Sequence, residues 1–257
     1  MLSLEVRELT KRYRGLHVVD HVNFTLSGGQ VTGYLGPNGS GKSTTVKMLT
    51  GLIAATSGKI LLDGKDVRLD FDAFKQRCGY VPEEAHVYPS LTAMEYLQLA
   101  GRLRGMPESV LNKRATDLLK LFALHLRRHS PLAAYSKGMR QRVLISAALL
   151  HDPDILIFDE PLSGLDVSSI LLFKSLVSEL ASRGKIILYI SHVLEIVEKI
   201  CSSVIIIYKG KIMAEESVSQ LRDVMNLSSL EAVFTQLVEQ QDMEKTARDI
   251  ADAIQVG

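Results

Sequence analysis

The sequence is short of cysteine, of net charge and of long apolar runs, and each shortage closes off a class of function. Only two of the 257 residues are cysteine. Cys78 and Cys201 lie far apart without metal-ligand spacing, so they read as buried free thiols of a reducing compartment. Lys and Arg number 30 against 29 Asp and Glu, a formal charge of +1. With a pI near 7.8 there is no global basic field, and charge does not suggest nucleic acid as a partner. No apolar run approaches the length of a membrane span; Val143 to Leu150 is short and flanked by charge. Met1 to Arg7 has no signal-peptide apolar core. If the protein works at a membrane, another chain is expected to cross it. Internal repeats and low-complexity segments are also lacking. What is present is a hydrophobic share of 46%, which suits one large α/β domain, or a core with a subdomain.

The chain is organised around Gly36-Pro37-Asn38-Gly39-Ser40-Gly41-Lys42-Ser43-Thr44. This fits G-x-x-x-x-G-K-[ST], the P-loop that holds nucleotide phosphates. Val31 to Leu35 before it reads as a buried strand, and Ser43 to Leu49 after it as a helix start, the context the motif requires. The glycines let the loop curl so that backbone N–H groups form an anion nest, and the helix dipole adds to it. Lys42 supplies a point charge for the outer phosphates. The Ser43 hydroxyl is placed to ligate Mg2+. A nucleoside triphosphate is therefore the expected ligand.

Upstream, Leu2 to Leu9, Val22 to Leu26 and Val31 to Leu35 read as strands, with Gly28 and Gly29 marking a hairpin turn between the last two. Lys59 to Leu62 reads as a further strand, ended by Asp63-Gly64, and the set predicts an antiparallel β layer. From Thr92 the texture turns helical: Thr92 to Arg104 and Glu108 to Phe122, broken at Gly105 and Pro107. A further helix runs from Gly138 to about His151. Alternation then resumes with strand Ile155 to Phe158, helix Ser168 to Ala181, strand Ile186 to Ile190, helix Val193 to Ile200 and strand Val204 to Ile207, which predicts a parallel sheet. The tail from Val218 reads as helical. Its apolar stripe Leu230, Val233, Phe234, Leu237 and Val238 is expected to pack on the chain's own core.

Ile155 to Phe158 ends in Asp159-Glu160. A carboxylate at the carboxyl end of a parallel strand reaches the ligand crevice. Asp159 is placed to bind Mg2+ directly or through water, and Glu160 to polarise an attacking water as general base. His192, just after strand Ile186 to Ile190, is expected to reach the terminal phosphate as a hydrogen-bond donor. The other six histidines lack such context.

Taken in order, these motifs resemble the nucleotide-binding subunit of an ABC transporter, from Leu4 to about Leu221. Tyr13 matches the aromatic residue that stacks on adenine. Tyr80-Val81-Pro82-Glu83 falls at the loop joining core to helical subdomain. Tyr135-Ser136-Lys137-Gly138-Met139 falls at the family signature, Asp166 at the loop crossing a dimer interface, and His192 at the switch histidine. Two positions depart from the family pattern. Glu83 stands where the family usually has glutamine; it keeps an oxygen for Mg2+ but adds negative charge near the phosphates. The signature reads Y-S-K-G-M rather than L-S-G-G-Q, a spelling that tilts the reading towards export; it keeps Ser136 and Gly138 at a helix N-terminus. Leu26-Ser27-Gly28-Gly29-Gln30 spells the family signature in full, but lies between strands where no helix opens, and is set aside as a turn.

The resemblance implies an α/β P-loop core with a parallel sheet, an antiparallel β subdomain and an inserted helical subdomain. It divides the chain into an ATPase domain at 1–220, with the helical part at about 85–150, and a helical tail at 221–257. It implies ATP and Mg2+ as cofactors, and a second ATP-binding subunit, identical or not, whose Ser136 and Gly138 would meet the ATP held by Lys42 and Ser43. It also implies a separate transmembrane permease, which places the chain in the cytoplasm on the inner face of the membrane. Val87-Tyr88-Pro89 and Leu91 are expected to line a groove for a short permease helix. Soluble relatives are the rival class. Chromosome-maintenance types need a coiled coil between P-loop and signature, for which Lys42 and Ser136 are too close. Translation-factor types carry two cassettes. A single-cassette iron–sulfur assembly ATPase remains the alternative, and a P-loop metabolite kinase leaves Ser136, Asp166 and His192 together unexplained.

Overall fold

The computed structural model describes residues 2–225 together with Phe234. In chain order the elements are β1 (Ser3–Tyr13), β2 (Leu16–Ser27), β3 (Val31–Leu35), α1 (Lys42–Leu49), β4 (Ser57–Leu62), β5 (Lys65–Asp66), α2 (Phe71–Gln76), β6 (Cys78–Val81) and α3 (Ala93–Leu103). Then follow α4 (Glu108–Leu121), α5 (Lys137–Leu149), β7 (Ile155–Asp159), α6 (Val167–Ser182), β8 (Ile186–Ile190), α7 (Leu194–Ile200), β9 (Ser203–Tyr208), β10 (Lys211–Ser217) and α8 (Val218–Met225).

The strands form two sheets. One is six-stranded, in the order β10-β9-β3-β8-β7-β6. It is parallel except for β10, which pairs antiparallel with β9. Its central strands β3, β7 and β8 are buried at every residue, as strands covered on both faces must be. The period-2 alternation assigns each residue to a side. Ile155, Ile157, Ile186 and Leu188 join the apolar cluster shared with the β layer and α1. Leu156, Phe158, Ile187 and Tyr189 join the larger cluster built with the helices. On that side Phe158 meets Phe173 of α6 edge-on, ring centroids 5.0 Å apart, a contact whose truncation to alanine would cost about 3–5 kcal/mol.

The second sheet is antiparallel, in the order β2-β1-β4-β5. Here the expected hairpin at Gly28-Gly29 is overturned. β2 pairs with β1, while β3 belongs to the other sheet. The burial patterns give the reason: from Val22 to Leu26 the residues of β2 alternate buried and exposed, whereas β3 is buried throughout. Gly28 turns the chain between sheets, its N–H donating to the Leu2 carbonyl; a Cβ there would come within 2.6 Å of the Gly184 carbonyl oxygen. The true hairpin is β1–β2, with Tyr13 opposite Leu16. Its two-residue turn, Arg14-Gly15, has positive φ at both positions, the geometry that matches strand twist.

Between β6 and β7 come α3, α4 and α5. A Thr92–Glu95 capping box opens α3. Gly101 of α3 lies against Leu111 of α4, and a Cβ there would approach the leucine within 2.3 Å. Of the apolar stripe expected in the tail, only Phe234 is described, and it packs against the larger core cluster; the other four residues lie outside the described ones. Among the described residues no helix is long and apolar enough to cross a membrane.

Candidate nucleotide site

Strand order builds the site. β3, β8 and β7 are neighbours and run parallel, so the loops leaving their carboxyl ends open into one crevice. From β3 comes the P-loop, from β7 Asp159-Glu160, and from β8 Ser191-His192. A cavity of ≈ 170 Å³ lies there, lined among others by Asn38, Lys42, Ser43, Asp159, Glu160 and His192.

The P-loop has the shape its glycines allow. Gly39 and Gly41 have φ of 78° and 108°, the left-handed region glycine adopts without steric cost. A Cβ on Gly36 would come within 2.3 Å of the Ile207 carbonyl oxygen. Lys42 opens α1, and its ammonium donates to the carbonyls of Gly36 at 2.5 Å and Pro37 at 3.0 Å. Partial burial lowers its pKa, opposed by the charges of Glu160, Asp159 and Glu83. Thr44 and Ser43 stand on the first turn, both at the cavity. The Ser40 side chain is buried, and its hydroxyl has no hydrogen-bond partner among the described residues.

Asp159 is 5% exposed. Burial, with Glu83 and Glu160 nearby, pushes its carboxyl up to about 6, against the pull of Lys42. Glu160 has a positive φ of 45°, and its N–H donates to the Ile190 carbonyl. One carboxylate oxygen accepts from the Ser191 hydroxyl at 3.0 Å. The other accepts from the His192 backbone N–H at 2.7 Å and lies 2.6 Å from His192 Nδ1. Glu83 is exposed and lines the same cavity. A neighbouring cavity of ≈ 360 Å³ is bounded by Pro37, Asn38, Glu83, Ser191, His192 and Phe234.

The other expected residues lie elsewhere. Tyr13 is 47% exposed at the tip of β1, under the Lys11 ammonium, and is not among the cavity's lining residues. The nonpolar wall from that side is Val18, which the sequence reading missed. Ser136 is the N-cap of α5, its hydroxyl accepting from Met139 N–H at 3.2 Å. Gly138 packs so closely that a Cβ would come within 2.3 Å of the Gly164 carbonyl oxygen. Neither lines the phosphate cavity. Asp166 caps α6, and its hydrogen bonds from the Ser168 hydroxyl and from Ser169 hold its carboxyl down at about 2. The decoy at 26–30 opens no helix: β2 ends at Ser27 and β3 begins at Val31. Ser191 was legible only as the neighbour of His192, at the end of a buried strand.

Of the residues expected to line a permease groove, Tyr88 and Pro89 are exposed and Val87 and Leu91 are half-buried. Val87 packs into the larger core cluster, and Leu91 is tied by backbone hydrogen bonds to Tyr88 and Leu132. A separate groove of ≈ 330 Å³ lies between α3 and α5, lined among others by Tyr80, Tyr96, Leu103, Leu144 and His151. Tyr88, 63% exposed, stands at 6.5 Å from the Tyr96 ring.

Comparison with known proteins agrees with this geometry. The family described as ABC transporter matches residues 19–163, more than half of the chain. The ABC transporter ATP-binding protein NatA of Bacillus subtilis (strain 168) is 36% identical over 229 residues, 89% of this chain and 93% of that protein. The Nod factor export ATP-binding protein I of Ralstonia nicotianae is 36% identical over 212 residues, 82% of this chain and 66% of that protein. A solved structure of an ATP binding subunit of an ABC transporter superposes with a TM-score of 0.85 at 33% identity, covering 91% of this chain and 98% of that one. With a P-loop, an acidic strand end and a Ser-His strand end converging on one phosphate-sized cavity, the chain belongs to the ABC transporter family as an ATP-binding subunit.

Proposed function

We propose that the chain hydrolyses ATP with Mg2+, that two such subunits close around the nucleotide, and that this closure drives a separate membrane permease in the direction of export. The observation that carries the reading is the placement of Glu160: its carboxylate is fixed by Ser191 and His192 at the mouth of the cavity that Lys42 lines. A fixed carboxylate there can accept a proton from a water attacking the terminal phosphate. Lys42 supplies charge to the outer phosphates, and the loop amides hold them. The donor set fits a hard cation. Asp159, whose carboxyl is pushed up by burial and then by its acidic neighbours, and the exposed Ser43 hydroxyl offer oxygen ligands of the kind Mg2+ takes, with Glu83 alongside. When bound, Mg2+ would offset phosphate charge during transfer.

Ser136 and Gly138 open α5 away from the chain's own phosphate cavity, which suits a role on a partner's nucleotide. Asp166 at the head of α6 is proposed to lie at the same interface, and Tyr13 to meet the base outside the phosphate cavity. Export is supported by the Y-S-K-G-M signature and by the Nod factor export relative. The groove between α3 and α5, with Tyr88 beside it, is proposed to seat a permease helix, and the chain to sit on the cytoplasmic face of the membrane.

Fractionation tests the partner. Tyr88→Asp is expected to leave ATPase activity of the purified chain intact and to release it from membranes. A wild-type chain found wholly soluble in cells expressing its neighbouring genes would contradict the reading and favour a soluble single-cassette ATPase.

A further inference from the structure

β2 carries a second cluster of chemically apt side chains that the nucleotide chemistry does not use. His17, Asp20 and His21 each offer one ligand atom, and the three atoms lie within 4.8 Å of one another. His17 Nδ1 and His21 Nδ1 each sit 2.7 Å from the same oxygen of Asp20. The two imidazoles are stacked, centroids 6.1 Å apart. In a regular strand, residues 17 and 20 would point to opposite faces. Here the register with β1 slips on both sides of Val19, from Arg12 opposite His17, to Lys11 opposite Val19, to Leu9 opposite Val22. Each slip adds a residue to β2, bends it, and turns the three side chains to one point.

The bend is held from outside the cluster. His21 has a φ of 50°, in the left-handed region that few residues other than glycine adopt. Its N–H donates to the Thr10 hydroxyl at 3.1 Å, and its carbonyl accepts from the Asn23 amide at 2.9 Å. The Asp20 N–H donates to the Gly210 carbonyl, and the Gly210 N–H to the Ser40 carbonyl of the P-loop. Lys211 lies 3.3 Å from the other oxygen of Asp20, leaving the first oxygen as the one shared by the two imidazoles.

We propose that His17, Asp20 and His21 form a binding site for a divalent transition metal of the kind imidazole favours: zinc, nickel or copper. Two imidazole nitrogens and one carboxylate oxygen make a three-ligand set with a position left for water. The side chains are 28%, 20% and 58% exposed, so a metal can reach the site and water can complete it. Tetrahedral zinc with bonds of about 2.1 Å needs ligand atoms about 3.4 Å apart, an opening of the present 2.7 Å contacts. Each neutral imidazole then carries its proton on Nε2 and turns the Nδ1 lone pair to the metal. The P-loop cavity offers a single imidazole, His192, among its carboxylates, and Cys78 and Cys201 are buried, so neither duplicates this pair of imidazoles with a carboxylate.

The test is a titration of the full chain with Zn2+ against a chromogenic chelator, in excess Mg2+. One tight site per chain is expected, weakened about tenfold or more by His17→Ala and by His21→Gln and unchanged by Asp159→Asn. In the wild-type chain, Zn2+ should also shield His17 and His21, but not the exposed His86, from diethylpyrocarbonate, read by mass spectrometry; this needs no variant to fold. Equal binding by wild type and histidine variants, loss only in Asp159→Asn, or undiminished modification of His17 and His21 in Zn2+ would each overturn the site.

Discussion

His192 holds one oxygen of Glu160 twice: the backbone N–H donates at 2.7 Å, and ring Nδ1 stands 2.6 Å away. Its place after a core strand aims this histidine at the phosphate; the fold sets it against the carboxylate as well as at the cavity wall. It is therefore expected to position Glu160. His192→Ala keeps the backbone donor and Ser191, so the carboxylate loosens without being lost. Hydrolysis should slow by about ten- to a hundredfold, a general-base misplacement, while ATP affinity stays nearly unchanged. Single-turnover kinetics alongside equilibrium ATP binding separate the two. Equal losses of affinity and rate would instead make the imidazole a nucleotide ligand.

The two signature spellings are distinguishable by charge at a helix N-terminus. Ser136→Arg puts a bulky cation where α5 begins, and should abolish ATP-driven dimerisation. It also removes a cap worth about 1 kcal/mol, so ATP binding by the monomer serves as the control for folding. Ser27→Arg, at the end of β2, should leave ATPase activity largely intact. The reverse pattern in gel filtration and phosphate release would assign the signature to 26–30.

Glu83 lines the phosphate cavity beside Asp159, and its charge adds to burial in raising the carboxyl pKa of Asp159. Glu83→Gln is expected to alter the Mg2+ dependence of hydrolysis and to leave ATP affinity nearly unchanged. Superimposable Mg2+ titrations would make the acid a bystander.

His151 gives a pH signature of the fold itself. Burial, with Arg104 nearby, pushes its pKa down from 6.5 to about 4, although its ring Nε2–H donates to the Cys78 carbonyl at 3.1 Å. The unfolded chain binds this proton near the ordinary value and the folded chain only near 4, so the unfolded state holds more protons between them. Stability from this group is intact above about 6.5 and falls as pH drops towards 4. His151→Gln should show a smaller fall in Tm between about pH 7.5 and pH 5 than wild type. Parallel Tm profiles would place His151 in water.

What the sequence shows well are features fixed by local rules. Val31 to Leu35 and Ile186 to Ile190 are legible as buried strands because both faces are covered, and Thr92 and Ser136 mark helix starts through their own side chains. Pairing is another matter. Gly28-Gly29 looks like a hairpin, and only tertiary packing shows that β2 turns back on β1 at Arg14-Gly15. β6 is a four-residue strand containing Gly79, too short to carry a period. β10 alternates with charges at an edge, which reads as loop. At the site, the P-loop, Asp159, Glu160 and His192 are legible from spacing. Val18 and Ser191 are not, since their part depends on which strands become neighbours.

Phosphate release by Glu160→Gln measures the role of the Glu160 carboxylate most directly. This variant is expected to bind ATP as the wild type does, to hydrolyse it about a hundredfold or more slower, and to accumulate as an ATP-bound dimer on gel filtration. Near-normal turnover in Glu160→Gln, with ATP binding unchanged, would contradict that role.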